Sequence, residues 1–209
     1  MADPDPAVGG GVTARRIVGG ILVEAFAAPG LLALTPAKHE DGRGFLSETY
    51  SRRRFREIGI DVDFVQENHT FSAAKGTIRG LHFQTPPQEQ GKLVRAVTGA
   101  VLDLVVDLRH GSPAFGQPIA VELSADNRRQ LYVPPGFAHG FCTLTANVEV
   151  LYRMTQYYAA DADRGLAFDD PELGIDWPVD PGSAILSDKD RKHPRLRDLP
   201  VYFSFEPPP

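Results

Sequence analysis

Short apolar runs that alternate with period two, each closed by Gly, Pro, Asn or Asp, dominate this chain and leave little room for helices. Between residues 102 and 109, Leu102, Leu104, Val106 and Leu108 share one face while Asp103, Val105, Asp107 and Arg109 share the other, because successive strand side chains point to opposite sides. The pattern predicts a half-buried antiparallel strand. Gly99 breaks the run that begins at Lys92, a natural place for a hairpin or bulge. Further strands are predicted at residues 31–35, 44–50, 62–66, 77–84, 118–123, 130–133, 138–144 and 147–156. One helix is predicted over 51–58, with Ser51 as N-cap, Phe55 and Ile58 on one stripe and Gly59 as the stop, and a shorter turn from Ser187. Many short strands with a few short peripheral helices predict an all-β sandwich or barrel, most simply an antiparallel jelly roll.

With 209 residues the chain is sized for one domain with tails. Residues 1–14 hold only Ala, Asp, Pro, Gly, Val, Thr and the initiator Met, which predicts a flexible tail, a domain over 15–203 and a second tail over 204–209. A net charge of -5 argues against nucleic acid or an anionic membrane as partner and favours a small molecule. The single cysteine, Cys142, forbids an internal disulfide and fits a reducing compartment. Arg15-Arg16 before an apolar run has the look of an export signal, but Glu24 interrupts the run and Pro29 follows it. No stretch approaches the roughly 20 apolar residues of a membrane span. The expected location is the cytoplasm.

Four segments place polar groups inside strand-like sequence: Asp41 to Phe45, Phe64 to His69, Arg79 to Gln84 together with Gly91 to Arg95, and Pro134 to Phe141. Charges at strand positions are costly unless they pair or meet a ligand. Tyr152 and Tyr158 have the same parity, so on one straight strand they would line one face roughly 20 Å apart. Each residue also has an ordinary reading. His39, His69, His110 and His193 are expected to be plain structural or surface groups, Asp190 can serve as the capping-box acid three residues after Ser187, and Arg43, Arg79 and Lys92 can be ion-pair partners. Pro135-Gly136-x-x-His139 is similar to the second metal motif of the cupin superfamily, but His82 is followed by Phe83 and Gln84 rather than completing His-x-His. The remaining ligands are too few for a closed metal site, and no metal is expected.

Taken together, these segments and the runs Gly111 to Gly116, Glu122 to Leu131, Asp169 to Pro178 and Leu186 to Asp190 resemble the dTDP-4-dehydrorhamnose 3,5-epimerase family from about residue 30 to 198. The resemblance implies a homodimeric jelly-roll barrel of the cupin type that needs no cofactor. It would act on a dTDP-linked 4-keto-6-deoxyhexose. It implies His82 as base, Asp190 as its dyad partner, Tyr152 as acid on the opposite ring face and Lys92 as stabiliser of the enolate oxygen. Arg43, Glu48, Gln66, Asn68, Arg79, His139 and Asp163 match positions that hold nucleotide and sugar, and Tyr158 matches the aromatic that stacks on thymine. Asp163 departs from the family's common Glu, and Lys189 stands where some relatives have Arg, which replaces a fork by a point charge.

Those residue types suit proton removal beside a ketone: a cation for the developing oxyanion, an imidazole near working pH, and a second group across the ring to return a proton. Arg79 and His82 are three apart and would face opposite ways on a regular strand, so a bulge at Gly80 is expected. The apolar strands before residue 36 match a closed small barrel poorly and are expected to pair with a second copy. Three other readings stay open: an epimerase acting at one carbon, a metal-dependent cupin oxygenase or isomerase, and a non-catalytic sugar-nucleotide-binding domain.

Overall fold

Period-two alternation becomes two antiparallel sheets packed face to face in the computed structural model, which describes residues 8, 9 and 11–207. The first half contains β1 (Val8–Gly9), β2 (Val12–Val18), β3 (Ile21–Phe26), β4 (Leu32–Pro36), β5 (His39–Asp41), β6 (Gly44–Leu46), helix α1 (Arg52–Ile58), β7 (Gln66–Ser72), β8 (Ile78–Gln84) and β9 (Lys92–Thr98). There follow β10 (Ala100–Asp107), β11 (Arg109–His110), β12 (Pro118–Ser124), β13 (Gln130–Val133), β14 (Phe137–Thr143), β15 (Val148–Met154), β16 (Asp163–Gly165) and β17 (Phe203–Ser204), with single 3-10 turns at Asp190–Lys192 and Leu196–Asp198. One sheet runs β1-β12-β10-β14-β8-β16 and the other β2-β3-β4-β13-β9-β15-β7. The all-β jelly roll expected from the sequence is the observed architecture.

Inner faces of both sheets meet in one apolar cluster, with Val101, Val105, Val121 and Phe141 from the first sheet against Val94, Ala96, Leu131 and Val150 from the second. The outer faces are covered too. Residues 166–186 and Phe203 lie over the six-stranded sheet, where Trp177 packs beside Leu81, Phe83 and Leu104 and donates its indole N–H to the Phe168 carbonyl at 2.8 Å. On the seven-stranded sheet α1 lays Phe55 and Ile58 against Ile21, Val23 and Leu93, each such side chain contributing about 1.5–3 kcal/mol when fully buried.

This double coverage corrects the half-buried reading of 102–109. Val105 faces the barrel interior while Leu104, Val106 and Leu108 face the C-terminal cover, so both sides of β10 are buried. Residues 62–65 are not a strand; Val62 and Phe64 pack toward α1, and the Phe64 ring meets Tyr50 edge-on at 5.4 Å. The expected strand 44–50 stops at Leu46, and further on the Thr49 carbonyl accepts from the Gln130 side chain. Ser51 adopts the extended N-cap backbone without a side-chain cap bond, and Gly59 ends the helix at φ +101°.

Parts of both expected tails are paired. Val12–Val18 forms an edge strand on β3 and Val8–Gly9 pairs with β12, because ladder bonds need only backbone groups. Residues 1–7 and 10 lie outside the described residues. At the other end Ser204 pairs with His110 and the Phe205 N–H donates to the His110 carbonyl at 2.8 Å; residues 208 and 209 are outside the description. Nor are the strands before residue 36 misfits. β3 and β4 join this chain's own sheet beside β13, and only β2, with Ile17 75% exposed, is left on its edge. Arg15 and Arg16 belong to that strand, Arg15 pairing with buried Glu24 at 2.8 Å. Among the described residues no helix is long and apolar enough to cross a membrane.

The expected bulge is present. His139 pairs with His82 and Phe141 with Arg79, so two steps on β14 match three on β8 and both Arg79 and His82 can face inward. Gly80 sits at φ +122°, and a Cβ there would lie 2.6 Å from Gly140 Cα and 2.8 Å from the His139 carbonyl oxygen. Gly80→Ala is therefore expected to cost about 2 kcal/mol or more, lowering the thermal midpoint by about 2–4 °C per kcal/mol for a chain of this size. Calorimetry checks this; an unchanged midpoint would show that the contact is not constrained.

Candidate active site

Strands from both sheets turn polar side chains into one cleft of ≈ 250 Å³. Arg79 and His82 come from β8, Lys92 from β9, His139 from β14 and Tyr152 from β15, while Ser187, Lys189 and Asp190 close it from the C-terminal segment. A larger depression of ≈ 460 Å³, lined by Gly19, Gly20, His39, Leu46, Glu48 and Arg54, brings fewer titratable groups together, and Glu48 and Arg54 are paired with each other.

Asp190 reaches the cleft from a capped turn, its N–H donating to Ser187 Oγ at 3.1 Å. The turn thus has the expected cap, but the carboxylate points away from it. Asp190 Oδ1 lies 2.7 Å from His82 Nε2, and Oδ2 accepts the Gly80 N–H at 3.4 Å. Burial by itself pushes the Asp190 carboxyl up, but the imidazoles of His193 and His82, the His82 charge and the Gly80 N–H together hold it below the usual carboxylate range. An ionised carboxylate only accepts, so it keeps the proton of neutral His82 on Nε2 and leaves Nδ1 with the lone pair.

Lys92 is only 8% exposed, and its Nζ donates to the His82 carbonyl at 3.2 Å. Burial pushes its ammonium down to about 8, against the opposing pull of the Asp103 and Asp163 charges. On the facing sheet the Tyr152 hydroxyl oxygen accepts from Asn68 Nδ2 at 3.3 Å, and Asn68 Oδ1 accepts from Gln66 Nε2 at 3.0 Å. That arrangement leaves the phenolic proton free to be given away. His139 sits opposite His82 and holds both oxygens of fully buried Asp103 at 3.0 Å. Arg79 is anchored at Ser72 Oγ, 3.1 Å, and the Phe71 carbonyl, 3.0 Å.

At the rim Asp163 accepts from the Tyr158 hydroxyl at 3.1 Å and is ion-paired with Lys189. The Asp163 charge raises the Tyr158 phenol above its ordinary value. Tyr158 is not on β15 as its parity suggested. The strand ends at Met154, and the Tyr158 N–H donates instead to Gln66 Oε1 at 3.1 Å. Two residues fall outside the cleft altogether: Arg43, 91% exposed on the β5–β6 hairpin, is ion-paired with Asp41 at 2.5 Å, and Glu48 pairs with Arg54 at 2.7 Å.

Thr70, which nothing in the sequence singles out, lines the cleft and continues the parity of Gln66 and Asn68. His193 is not the ordinary histidine that its sequence context suggests. His193 lies three after Asp190 with Nε2 3.5 Å from the same Oδ1, and its ring meets His82 edge-on at 5.4 Å. His39, His69 and His110 are exposed, in keeping with the ordinary reading. The cupin-like metal set does not assemble. His139 is committed to Asp103, and Gln84, standing where the second His of the first motif would be, bonds the Gln88 and Tyr157 carbonyls and the Ala159 N–H.

The model of the family described as dTDP-4-dehydrorhamnose 3,5-epimerase matches residues 25–198. The chain belongs to that family. It is 48% identical over 172 residues, 82% of this chain and 88% of the relative, to the dTDP-4-dehydrorhamnose 3,5-epimerase of Sinorhizobium fredii. Among solved structures it resembles that of the dTDP-4-dehydrorhamnose 3,5-epimerase of Bacillus anthracis with TDP and PPi bound, at 49% identity and TM-score 0.78 over 79% of this chain and 94% of that one. It is also similar to the dTDP-6-deoxy-D-glucose-3,5-epimerase of Legionella pneumophila in complex with dTDP-4-keto-L-rhamnose, at 40% identity and TM-score 0.80 over 85% and 94% of the two chains.

In this member of the dTDP-4-dehydrorhamnose 3,5-epimerase family the buried ammonium is the cleft's most perturbed cation, and it can be followed directly. Heteronuclear NMR of lysine-labelled protein should show one lysine titrating near pH 8, absent in Lys92→Met. If every lysine instead titrates near 10.4, as unperturbed lysines do to within about one unit, the burial argument for Lys92 fails.

Proposed function

We propose that this enzyme inverts C3 and C5 of dTDP-4-keto-6-deoxy-D-glucose, giving dTDP-4-keto-L-rhamnose, as a step in dTDP-L-rhamnose biosynthesis. The observation that carries the reading is a carboxylate-held imidazole, His82, sharing one cleft with a buried ammonium, Lys92, and a phenol, Tyr152, from the facing sheet. A C–H beside the C4 ketone loses its proton to His82 Nδ1 as the electron pair moves through the C–C bond onto the carbonyl oxygen. Lys92 meets that negative charge from a buried position, where a placed cation is worth more than in water. Asp190 stabilises the imidazolium formed in the same step. Tyr152 then delivers its proton to the opposite face of the carbon, the enolate collapses to the ketone, and solvent returns the protons to their starting places. Repetition at the second carbon completes the reaction. No metal is assigned a part.

Arg79 and Lys189 bring positive charge to the same cleft, which suits a diphosphate, and Tyr158 at the rim offers a ring to the base. Arg43 and Glu48 are expected to hold substrate on the strength of the family resemblance, yet this chain points neither into its own cleft. The reading therefore includes a homodimer in which the exposed β5–β6 hairpin, with Phe45 and Leu46 uncovered, reaches the cleft of a second copy. Work in the cytoplasm goes with the single, unpaired Cys142.

Turnover in deuterated water should place deuterium at both C3 and C5 of the product, read by proton NMR. Label at one carbon only would give the case to a single-carbon epimerase. His82→Ala should slow labelling by roughly 10²–10⁴ while dTDP binding is kept; undiminished labelling removes His82 as the base. Sedimentation equilibrium should give twice the chain mass, and Arg43→Ala should raise KM more than it lowers kcat. A monomer with full activity overturns the shared site.

A further inference from the structure

The reaction gives His193 no part, yet the fold builds a slot for it. Gly165 on β16 sits directly opposite His82 on β8, and a Cβ at Gly165 would lie 2.3 Å from Cδ2, Cε1 and Nδ1 of the His193 ring. Any side chain at that position would occupy the ring's place. The His193 side chain is 9% exposed, and its Nε2 is buried without a hydrogen-bond partner. That nitrogen is aimed at the oxygen His82 already holds, 3.5 Å from Asp190 Oδ1.

We infer that His82, Asp190 and His193 form a binding site for a borderline transition-metal dication, typified by Zn²⁺, whose occupation switches the enzyme off. One donor atom from each residue lies within 4.8 Å of the others. Two imidazoles and one carboxylate with an open fourth position make a recurrent zinc donor set. Zn–N and Zn–O bonds of about 2.0–2.2 Å put tetrahedral ligands ~3.3 Å apart. The His193–Asp190 spacing is close to that already, and the His82–Asp190 contact of 2.7 Å needs to open by ~0.6 Å or slightly more. Neither His139 nor Gln84 takes part, so the site is separate from the one the cupin motifs would build.

Inhibition follows from the tautomer. Zinc takes the lone pair of His82 at Nε2, the ring's proton moves to Nδ1, and no nitrogen is left to accept a proton from carbon. A protonated His193 releases its proton on binding. A hard ion such as Mg²⁺, which takes oxygen ligands and keeps its waters, does not suit this set. Binding stands on the geometry alone; inhibition rests on His82 being the base.

The test titrates zinc alone against a competing chromophoric chelator, without sugar nucleotide, for wild type, His193→Phe and His193→Asn. Phe keeps a ring over Gly165 and removes both nitrogens, and Asn keeps a polar group without an imidazole. Wild type should hold one zinc that both variants bind roughly 10-fold or more weakly, with no competition from Mg²⁺. Equal zinc binding by all three proteins overturns the site. Cobalt(II) provides a readout that needs no variant: wild type should develop a visible d–d band of a four- or five-coordinate ion, and absence of the band counts against the site. Solvent-deuterium exchange then separates the two claims. Zinc should suppress wild-type exchange reversibly and leave that of the variants largely untouched, whereas bound zinc with undiminished wild-type exchange overturns the role of His82 and leaves the metal site standing.

Discussion

Asp190 is buried where the last turns of the chain cross β8, and its carboxylate joins the two parts that make the cleft. It accepts from His82 and from the Gly80 N–H, and both donors depend on one irregularity in β8. Without the extra residue at Gly80, Arg79 would face away from His82. The bulge needs two bare α-carbons, Gly80 and Gly140, because neither has space for a Cβ. A buried carboxylate is tolerated only with such donors. Each feature is the condition for the next.

Around that joint the barrel walls hold the cleft's polar groups, with Lys92, His139 and Asp190 buried. The C-terminal cover on one sheet and α1 on the other bury both faces of the central strands, so side chains on them have little freedom to move. Preorganised charges of this kind need no rearrangement at the moment of reaction. Lys92 illustrates the consequence: burial pushes its ammonium down to about 8, which still leaves it charged at neutral pH beside the His82 carbonyl. Deeper in, the His139–Asp103 contact pairs two groups that would be costly to bury apart.

Strand positions were largely legible in the sequence, and 130–133 is found with its expected limits, buried along its whole length. Alternation misled where it served another purpose. Val62 and Phe64 alternate because both pack toward α1, with no ladder partner beside them. Low-complexity Val12–Ala14 carried no apolar signal, yet pairs through its backbone with β3. Within the cleft, His82, Lys92, Arg79 and Tyr152 stood out as polar groups on strand positions, whereas His193 did not, since its meaning lies in a contact with Asp190 and in the vacancy over Gly165.

By itself the sequence determined the β architecture, the helix and the set of polar side chains available to a site, because strand period, turn residues and side-chain chemistry are local properties. Tertiary structure decided which of those groups meet. It brought residue 190 to residue 82, placed Tyr152 on the sheet facing them, turned Tyr158 off its strand toward Asp163, and left Arg43 and Glu48 outside the cleft. Such meetings depend on strand order and on the path of a long C-terminal segment, neither of which is written in the spacing of neighbouring residues; the bulge alone was signalled there, by the three-residue step from Arg79 to His82.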